Sequence, residues 1–218
     1  MKLLLTSSGV KNILIEHALL QLLGKPFRKS HITFIPTAAN VEKGDKTWLV
    51  NDMHNLLKLG FLTFDVMDIS AVQKDIWLPS LEKADVLVFG GGNVEYLLTW
   101  LDKSGLKQLL PTLLKTKVYM GISAGSMVTA KNVSLSKAGM LYYEQTGKFE
   151  NAKGLGFVDF EIRPHLNSKW FPNVRVGYLE KLARQTPTQF YAIDDTTAIK
   201  VEDGKISVVS EGKWKKFN

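Results

Sequence analysis

The chain of 218 residues has no cysteine. That excludes a disulfide framework, a cysteine nucleophile and any cysteine-bound metal, and it suits a reducing cytosol. Histidine is scarce, with four in the chain, so a catalytic base can be weighed candidate by candidate. No apolar run approaches the roughly 20 residues a membrane-crossing helix needs. The opening stretch MKLLLTSSG carries one lysine and an apolar run too short for a secretory signal. There is no internal repeat, linker or low-complexity segment, and no metal-ligand spacing. These absences lead us to expect one cytoplasmic domain over residues 1–218, with no membrane partner, metal or cofactor.

Charge is the one compositional excess. A net charge of +7 raises nucleic acid as a partner. The lysines are scattered, however. Only Lys213, Lys215 and Lys216 gather around an aromatic residue, Trp214, and no nucleic-acid-binding motif accompanies them. No nucleic-acid partner is expected.

The first two thirds alternates strand-like and helix-like segments. Strands are expected at Lys2 to Thr6, His31 to Pro36, Phe61 to Met67, Val86 to Phe89 and Val118 to Ile122. Helical spacing runs through Asn12 to Leu23, Trp48 to Leu59 (with Gly60 as its stop) and from Val94 to Trp100. Wholly apolar strands between helices predict a three-layer, doubly wound, mostly parallel α/β sheet. Beyond about Leu155 the pattern turns β-rich, with a hairpin signal at EDGK. These strands are expected to extend one edge of the same sheet, and an exposed edge there could pair in a homodimer.

Ligands of such sheets bind at the C-terminal ends of the parallel strands. Three motifs fall there: TSSG after the first strand, GGGN after the fourth and GISAGS after the fifth. In the last, Ser123 stands between Gly121 and Gly125 as G-x-S-x-G, leading to a helical pattern from Met127 and Val128. A strand turning this sharply into a helix strains its middle residue, and flanking glycines remove the Cβ atoms that would clash. Ser123 is thus either a nucleophile on an elbow or a small residue in a tight turn. A nucleophilic serine needs a base and oxyanion donors. His17 and His54 lie inside helical patterns and His31 opens a strand. His165, in EIRPHLNS, follows an apolar strand behind Pro164 and is the candidate base. Gly90, Gly91 and Gly92 can bring backbone N–H groups close to a substrate, and the Ala124 N–H would be a second donor.

Taken together, TSSG, FIPTAA, DVLVFGGGNVEYLL, YMGISAGSMV, EIRPH and AIDDTTAI resemble peptidase family S51, which holds the aspartyl dipeptidases (peptidase E) and the cyanophycinases. They span nearly the whole chain in the family's order. The resemblance implies a class I glutamine amidotransferase-like (flavodoxin-like) fold, Ser123 as nucleophile, His165 as base, and Gly91 with Ala124 as the oxyanion hole. It also implies a short peptide as substrate.

Two departures stand out. The aspartate that bacterial aspartyl dipeptidases carry downstream of the serine has no counterpart in NVSLSKAGMLYYE, where Ala138 stands near the expected place. AIDDTTAI resembles the motif in which the cyanophycinase-like branch carries its acid, and that resemblance implies Asp195 as the acid, with Asp194 and then Glu144 as alternatives; an ordinary turn-capping role competes for Asp194. For specificity, Arg175 resembles the family's substrate-reading arginine, and Arg163 and Asn93 are further substrate-binding candidates. Cyanophycinase-like action would need an acidic pocket, and few acids lie near the rim motifs. Hydrolysis of a small metabolite amide, or an inactive binding protein of the same fold, are the other readings.

Overall fold

The computed structural model describes residues 1–144 and 151–218. In chain order the elements are β1 (Lys2–Thr6), α1 (Ile13–Leu23), β2 (His31–Ile35), α2 (Thr47–Leu57), β3 (Thr63–Val66), α3 (Lys74–Lys83) and β4 (Val86–Phe89). Then come α4 (Val94–Lys103), α5 (Leu106–Leu113), β5 (Val118–Ile122), α6 (Ala124–Met127), β6 (Asn132–Ser134) and α7 (Leu135–Tyr142). The last third holds β7 (Asn151–Lys153), β8 (Glu161–Arg163), α8 (Val176–Ala183), β9 (Phe190–Ile193), β10 (Thr197–Glu202), β11 (Lys205–Ser210) and β12 (Trp214–Phe217).

The main sheet has seven strands in the order β11-β10-β1-β5-β4-β2-β3. The five strands from β1 to β3 in that order are parallel. Side chains alternate between its two faces, as the pleat requires. Leu3, Leu5, Leu87, Phe89 and Tyr119 join one buried core, while Leu4, Val86, Val88, Met120 and Ile122 join the other. Both faces are therefore apolar, which is why these strands read as unbroken hydrophobic runs. One core is closed by α1 and the Leu56 turn of α2, the other by residues of α3, α4, α5, α7 and α8. This is the doubly wound, three-layer arrangement of the flavodoxin-like, class I glutamine amidotransferase-like type.

Local chemistry sets the helix ends near the rim. The Asn12 side chain accepts the Ile15 N–H at 2.9 Å and starts α1. The Asn93 side chain does the same for Tyr96 at 2.9 Å and starts α4.

Three features differ from the sequence reading. The EDGK hairpin does extend the main sheet, as β10 and β11 on the β1 edge. The other late strands do not: β8, β9 and β12 form a separate three-stranded sheet. It packs Phe190, Tyr191 and Phe217 onto the core of the α3–α8 face, so those apolar residues are satisfied without edge pairing. The helix after the serine turn is also a single turn, not a full helix. The carbonyls of Val128 and Thr129 instead take the N–H groups of Leu155 and Phe157. Finally, α3 and α5 each carry an interior proline, Pro79 and Pro111, and no helix is expected at either place from pattern.

Candidate active site

The turn after β5 explains its own glycines. Ser123 sits at φ 48° and ψ −108°, a strained conformation for a residue with a side chain. A Cβ on Gly121 would lie 2.6 Å from the Gly125 carbonyl oxygen, and one on Gly125 would lie 2.0 Å from that of Phe89. No real Cβ tolerates either, so strand and following turn close on each other only without side chains. Neighbouring β1 fixes the turn. The Thr6 carbonyl accepts the Ser123 N–H at 3.1 Å and the Ser126 hydroxyl at 2.8 Å. The Thr6 hydroxyl donates to the Gly121 carbonyl at 2.8 Å.

His165 follows β8 and carries a positive φ of 62°. Its ring is held against Phe171 at 4.9 Å between centroids and edge-on to Tyr142 at 6.3 Å. Its Nε2 lies 2.9 Å from the Ser123 Oγ, and its Nδ1 lies 2.7 Å from the Asp195 Oδ1. Ser123, His165 and Asp195 thus form one hydrogen-bonded run across segments from three parts of the chain. Burial works to raise the Asp195 carboxyl. The hydrogen bond and charge of His165, the Ser7 hydroxyl and the Lys11 ammonium outweigh it and hold the group below the ordinary carboxylate range.

The other two acids go elsewhere. Asp194 accepts the Thr196 N–H at 3.1 Å, the Thr196 hydroxyl at 3.0 Å and the Thr197 hydroxyl at 2.8 Å, and it also takes the Lys213 N–H. It caps the turn into β10. Glu144 accepts the Val94 N–H at 3.0 Å at the start of α4. Burial pushes it up to about 8, with Glu42 and Glu95 adding repulsion. Neither side chain hydrogen-bonds the imidazole, so both alternatives to Asp195 fall away on geometry.

The glycine run sits opposite the serine. A Cβ on Gly91 would stand 3.4 Å from the Ser123 Cβ and 3.5 Å from the Trp48 ring. Gly92 has a φ of 127° and no room for a Cβ, which would stand 2.2 Å from the Ala38 carbonyl oxygen. Among the described residues, no acceptor takes the Gly91 or the Ala124 N–H. Asn93 is buried and its side-chain oxygen caps α4. It also lines a cavity of about 450 Å3 with Val41, Glu42, Lys43, Glu95 and Tyr143. Acids therefore do stand near one rim motif, contrary to the expectation from sequence: Glu95 follows GGGN by two residues, and Glu42 comes from a segment that no rim motif covers.

The two arginines fare differently from expectation. Arg163 is 3% exposed, ion-paired with Glu161 and set 5.8 Å from the Phe190 ring centroid. It belongs to the core side of the small sheet, so the substrate-binding expectation is corrected: its charge is already matched and out of reach. Arg175 stands at the N-terminus of α8. Its guanidinium donates to the carbonyls of Phe171 and Val174 at 3.0 Å and of Ser168 at 2.9 Å. Most of its donor capacity holds the loop that carries Phe171 against His165.

Sequence reasoning missed three neighbours. Ser7 is fully buried and touches both His165 and Asp195. The TSSG motif flagged its place on the rim, though not its partners. Asp52 is 5% exposed with Lys11 as its ion-pair partner at 3.9 Å. Burial pushes it up to about 6, against the pull of Lys11 and His165. Trp48, one helical turn before Asp52, has its ring 3.5 Å from where a Cβ on Gly91 would stand. Helical spacing gave α2, but nothing in it marked which face meets the site.

A parallel sheet with a serine, a histidine and a carboxylate in one hydrogen-bonded run on its rim defines the class of serine hydrolases. The sequence model of peptidase family S51 matches residues 3–209. The chain belongs to that family and is a peptidase; the serine type fits the family. It is 30% identical over 173 residues to an uncharacterised peptidase of Pasteurella multocida, covering 79% of this chain and 81% of that protein. It is 36% identical over 89 residues to peptidase E of Streptomyces coelicolor, covering 40% of this chain and 35% of that one. A crystal structure of a candidate peptidase E from Listeria monocytogenes shares the fold, with a TM-score of 0.79 at 24% identity over 97% of this chain and 98% of that one. So does a peptidase from an acI-B1 Actinobacterium, with a TM-score of 0.72 at 21% identity over 98% and 88%.

Proposed function

We propose that this chain is a serine exopeptidase that hydrolyses short peptides through an acyl-enzyme. The observation that carries this reading is the placement of His165 Nε2 2.9 Å from Ser123 Oγ while its Nδ1 meets Asp195 at 2.7 Å. In that arrangement the Ser123 oxygen attacks the scissile carbonyl carbon as its proton passes to His165 Nε2. The tetrahedral oxyanion forms against the N–H groups of Gly91 and Ala124. The C–N bond then breaks, and His165 returns the proton to the leaving amine. A water, deprotonated by His165, attacks the acyl carbon, and the ester C–O bond breaks as His165 hands that proton to the Ser123 oxygen. Asp195 holds the Nδ1–H tautomer and stabilises the imidazolium.

Peptides bearing an acidic first residue are the leading substrate class, to be read by Arg175, whose guanidinium holds the loop that carries Phe171. A second reading is favoured by the cavity beside Asn93. Glu42 lines it beside Lys43 and Glu95, and the Glu42 carboxylate suits a cationic group, as an arginine-bearing β-aspartyl substrate would present. We place the enzyme in the cytoplasm, on its lack of cysteine. We assign it no nucleic-acid or membrane partner, and the edge strand β11, in the C-terminal third, is where a homodimer would pair.

A panel of Asp-X, β-Asp-X, X-Asp, β-Asp-Arg and neutral di- and tripeptides, given to wild type and Ser123→Ala, tests this. Cleavage of Asp-X by wild type alone supports the leading class, and cleavage of β-Asp-Arg supports the second. A Ser123→Ala variant as active as wild type removes the serine mechanism. A folded wild type that cuts nothing moves metabolite amides or ligand binding ahead.

A further inference from the structure

We propose that Ser7 is a fourth member of the constellation: a positioning residue that fixes the tautomer of His165 and the orientation of Asp195. The inference rests on the serine–histidine–aspartate reading above. Ser7 is fully buried at the end of β1. Its hydroxyl oxygen accepts the His165 backbone N–H at 2.8 Å, and its hydroxyl donates to the Asp195 Oδ1 at 2.7 Å. The same oxygen lies 3.3 Å from the His165 Nδ1.

A hydroxyl has one proton to give. Spent on Asp195, it cannot be offered to Nδ1. A bare Nδ1 would then face the Asp195 oxygen and the Ser7 oxygen with no proton between them. The arrangement is satisfied only when Nδ1 carries the hydrogen and donates it to Asp195. That leaves the Nε2 lone pair aimed at Ser123, as a general base requires. Ser7 also works on the backbone. His165 has a φ of 62°, which a residue with a side chain holds only when its surroundings impose it. The bond from its N–H to Ser7 is one such constraint. Ser7 thereby ties the base and the acid to the strand whose previous residue, Thr6, already holds the serine turn.

The test uses a fluorophosphonate probe, which needs no knowledge of the peptide substrate. The Ser123 oxygen bonds to phosphorus, fluoride leaves, and the serine proton passes to His165. The phosphonylation rate is measured across pH for wild type, Ser123→Ala, Ser7→Ala, Asp195→Asn and the Ser7→Ala/Asp195→Asn double variant. We expect Ser7→Ala to slow labelling by about 10- to 100-fold, the scale of one buried hydrogen bond to a charged group. Its rate–pH profile should shift along the pH axis relative to wild type. The double variant should lose less than the product of the two single losses, because Ser7 acts in part through the Asp195 carboxylate it holds. A purely structural role would instead lower the melting temperature, leave the profile in place and add to the Asp195 effect. If Ser7→Ala melts below the assay temperature, Ser7→Cys, which keeps a γ-atom but is a weak donor, takes its place.

Labelling of Ser7→Ala at the wild-type rate, or additive losses in the double variant, overturns the inference while leaving the triad intact. Labelling of Ser123→Ala at the wild-type rate overturns the triad itself.

Discussion

The choice of Asp195 as the acid makes the sharpest prediction, and Asp195→Asn is the perturbation that tests it. The change keeps side-chain volume and an oxygen able to accept from Ser7 and from the His165 Nδ1. It removes the charge that faces the imidazole at 2.7 Å. It also lets an amide N–H turn toward Nδ1, which selects the tautomer with its proton on Nε2, pointing at Ser123. In buried triads the corresponding change costs about 10⁴ in rate. Here the Asp195 side chain is 43% exposed, so solvent screens part of its field, and a loss of about 10²- to 10⁴-fold in kcat is expected. The assay is kcat and KM on whichever peptide of the panel is cut, with circular dichroism to show the fold is kept. KM should change little, since the carboxylate acts on the imidazole and not on the peptide. Asp194→Asn should leave kcat within about threefold and act on thermal stability instead, because it loosens only the turn into β10. If Asp195→Asn keeps kcat within about tenfold of wild type, or Asp194→Asn is the worse of the two, the assignment of the acid is wrong.

The remaining predictions concern the elements around that run. Gly125→Ala places a Cβ 2.0 Å from the Phe89 carbonyl; backbone must move, so a loss of about 1–3 kcal/mol or more in denaturant unfolding is expected, with probe labelling lost in step. Arg163→Met should cost about 3–5 kcal/mol by leaving Glu161 buried and unpaired, yet leave kcat/KM per folded molecule unchanged; a selective rise in KM would instead return Arg163 to the substrate. Glu144→Gln keeps the acceptor for Val94. The unfolded chain loses the Glu144 proton near 4.5, but the folded protein keeps it until about 8. Burial therefore penalises the fold increasingly from pH 4.5 to 8, and the melting-temperature advantage of Gln should open over that window and level off above it. A gap that does not vary with pH would show that the surroundings of Glu144 do not hold its proton in the folded protein.

The strands of the main sheet were legible because both faces are covered: every residue of β4 and β5 is apolar or glycine, and such runs have few other homes. The hairpin at EDGK was legible from its turn chemistry. The placement of β8, β9 and β12 was not. A short apolar strand such as FYAI reads the same whether it joins a large sheet or a small one, since pairing partners are chosen by tertiary packing. At the site, Ser123 was visible because the turn demands glycines at fixed offsets, and His165 because it follows a strand end. The acid was less so. Asp194 and Asp195 are adjacent in sequence, and only the fold shows that one faces the turn and the other the imidazole. Asp52 and Trp48 were hidden for a related reason. Helical spacing locates a helix but does not say which of its faces meets a rim built by segments as distant in sequence as Gly91, Ser123 and Asp195.

The position of β1 accounts for much of how this site assembles. It is the strand at which the sheet changes from parallel to antiparallel, with β5 on one side and β10 on the other. The serine turn follows β5, and the Asp195 turn precedes β10, so both reach the rim as immediate neighbours of the end of β1. Two consecutive residues there divide the work. Thr6 uses its carbonyl and hydroxyl on the serine turn, and Ser7 uses its hydroxyl on the acid and the base. His165 comes from the small sheet and is the one member not delivered by a neighbouring strand. Packing by Phe171 and Tyr142, and the loop that Arg175 clamps, must therefore position it. Substitutions in that loop should act on rate through the imidazole alone, whereas substitutions at the end of β1 act on the serine turn, Asp195 and His165 together.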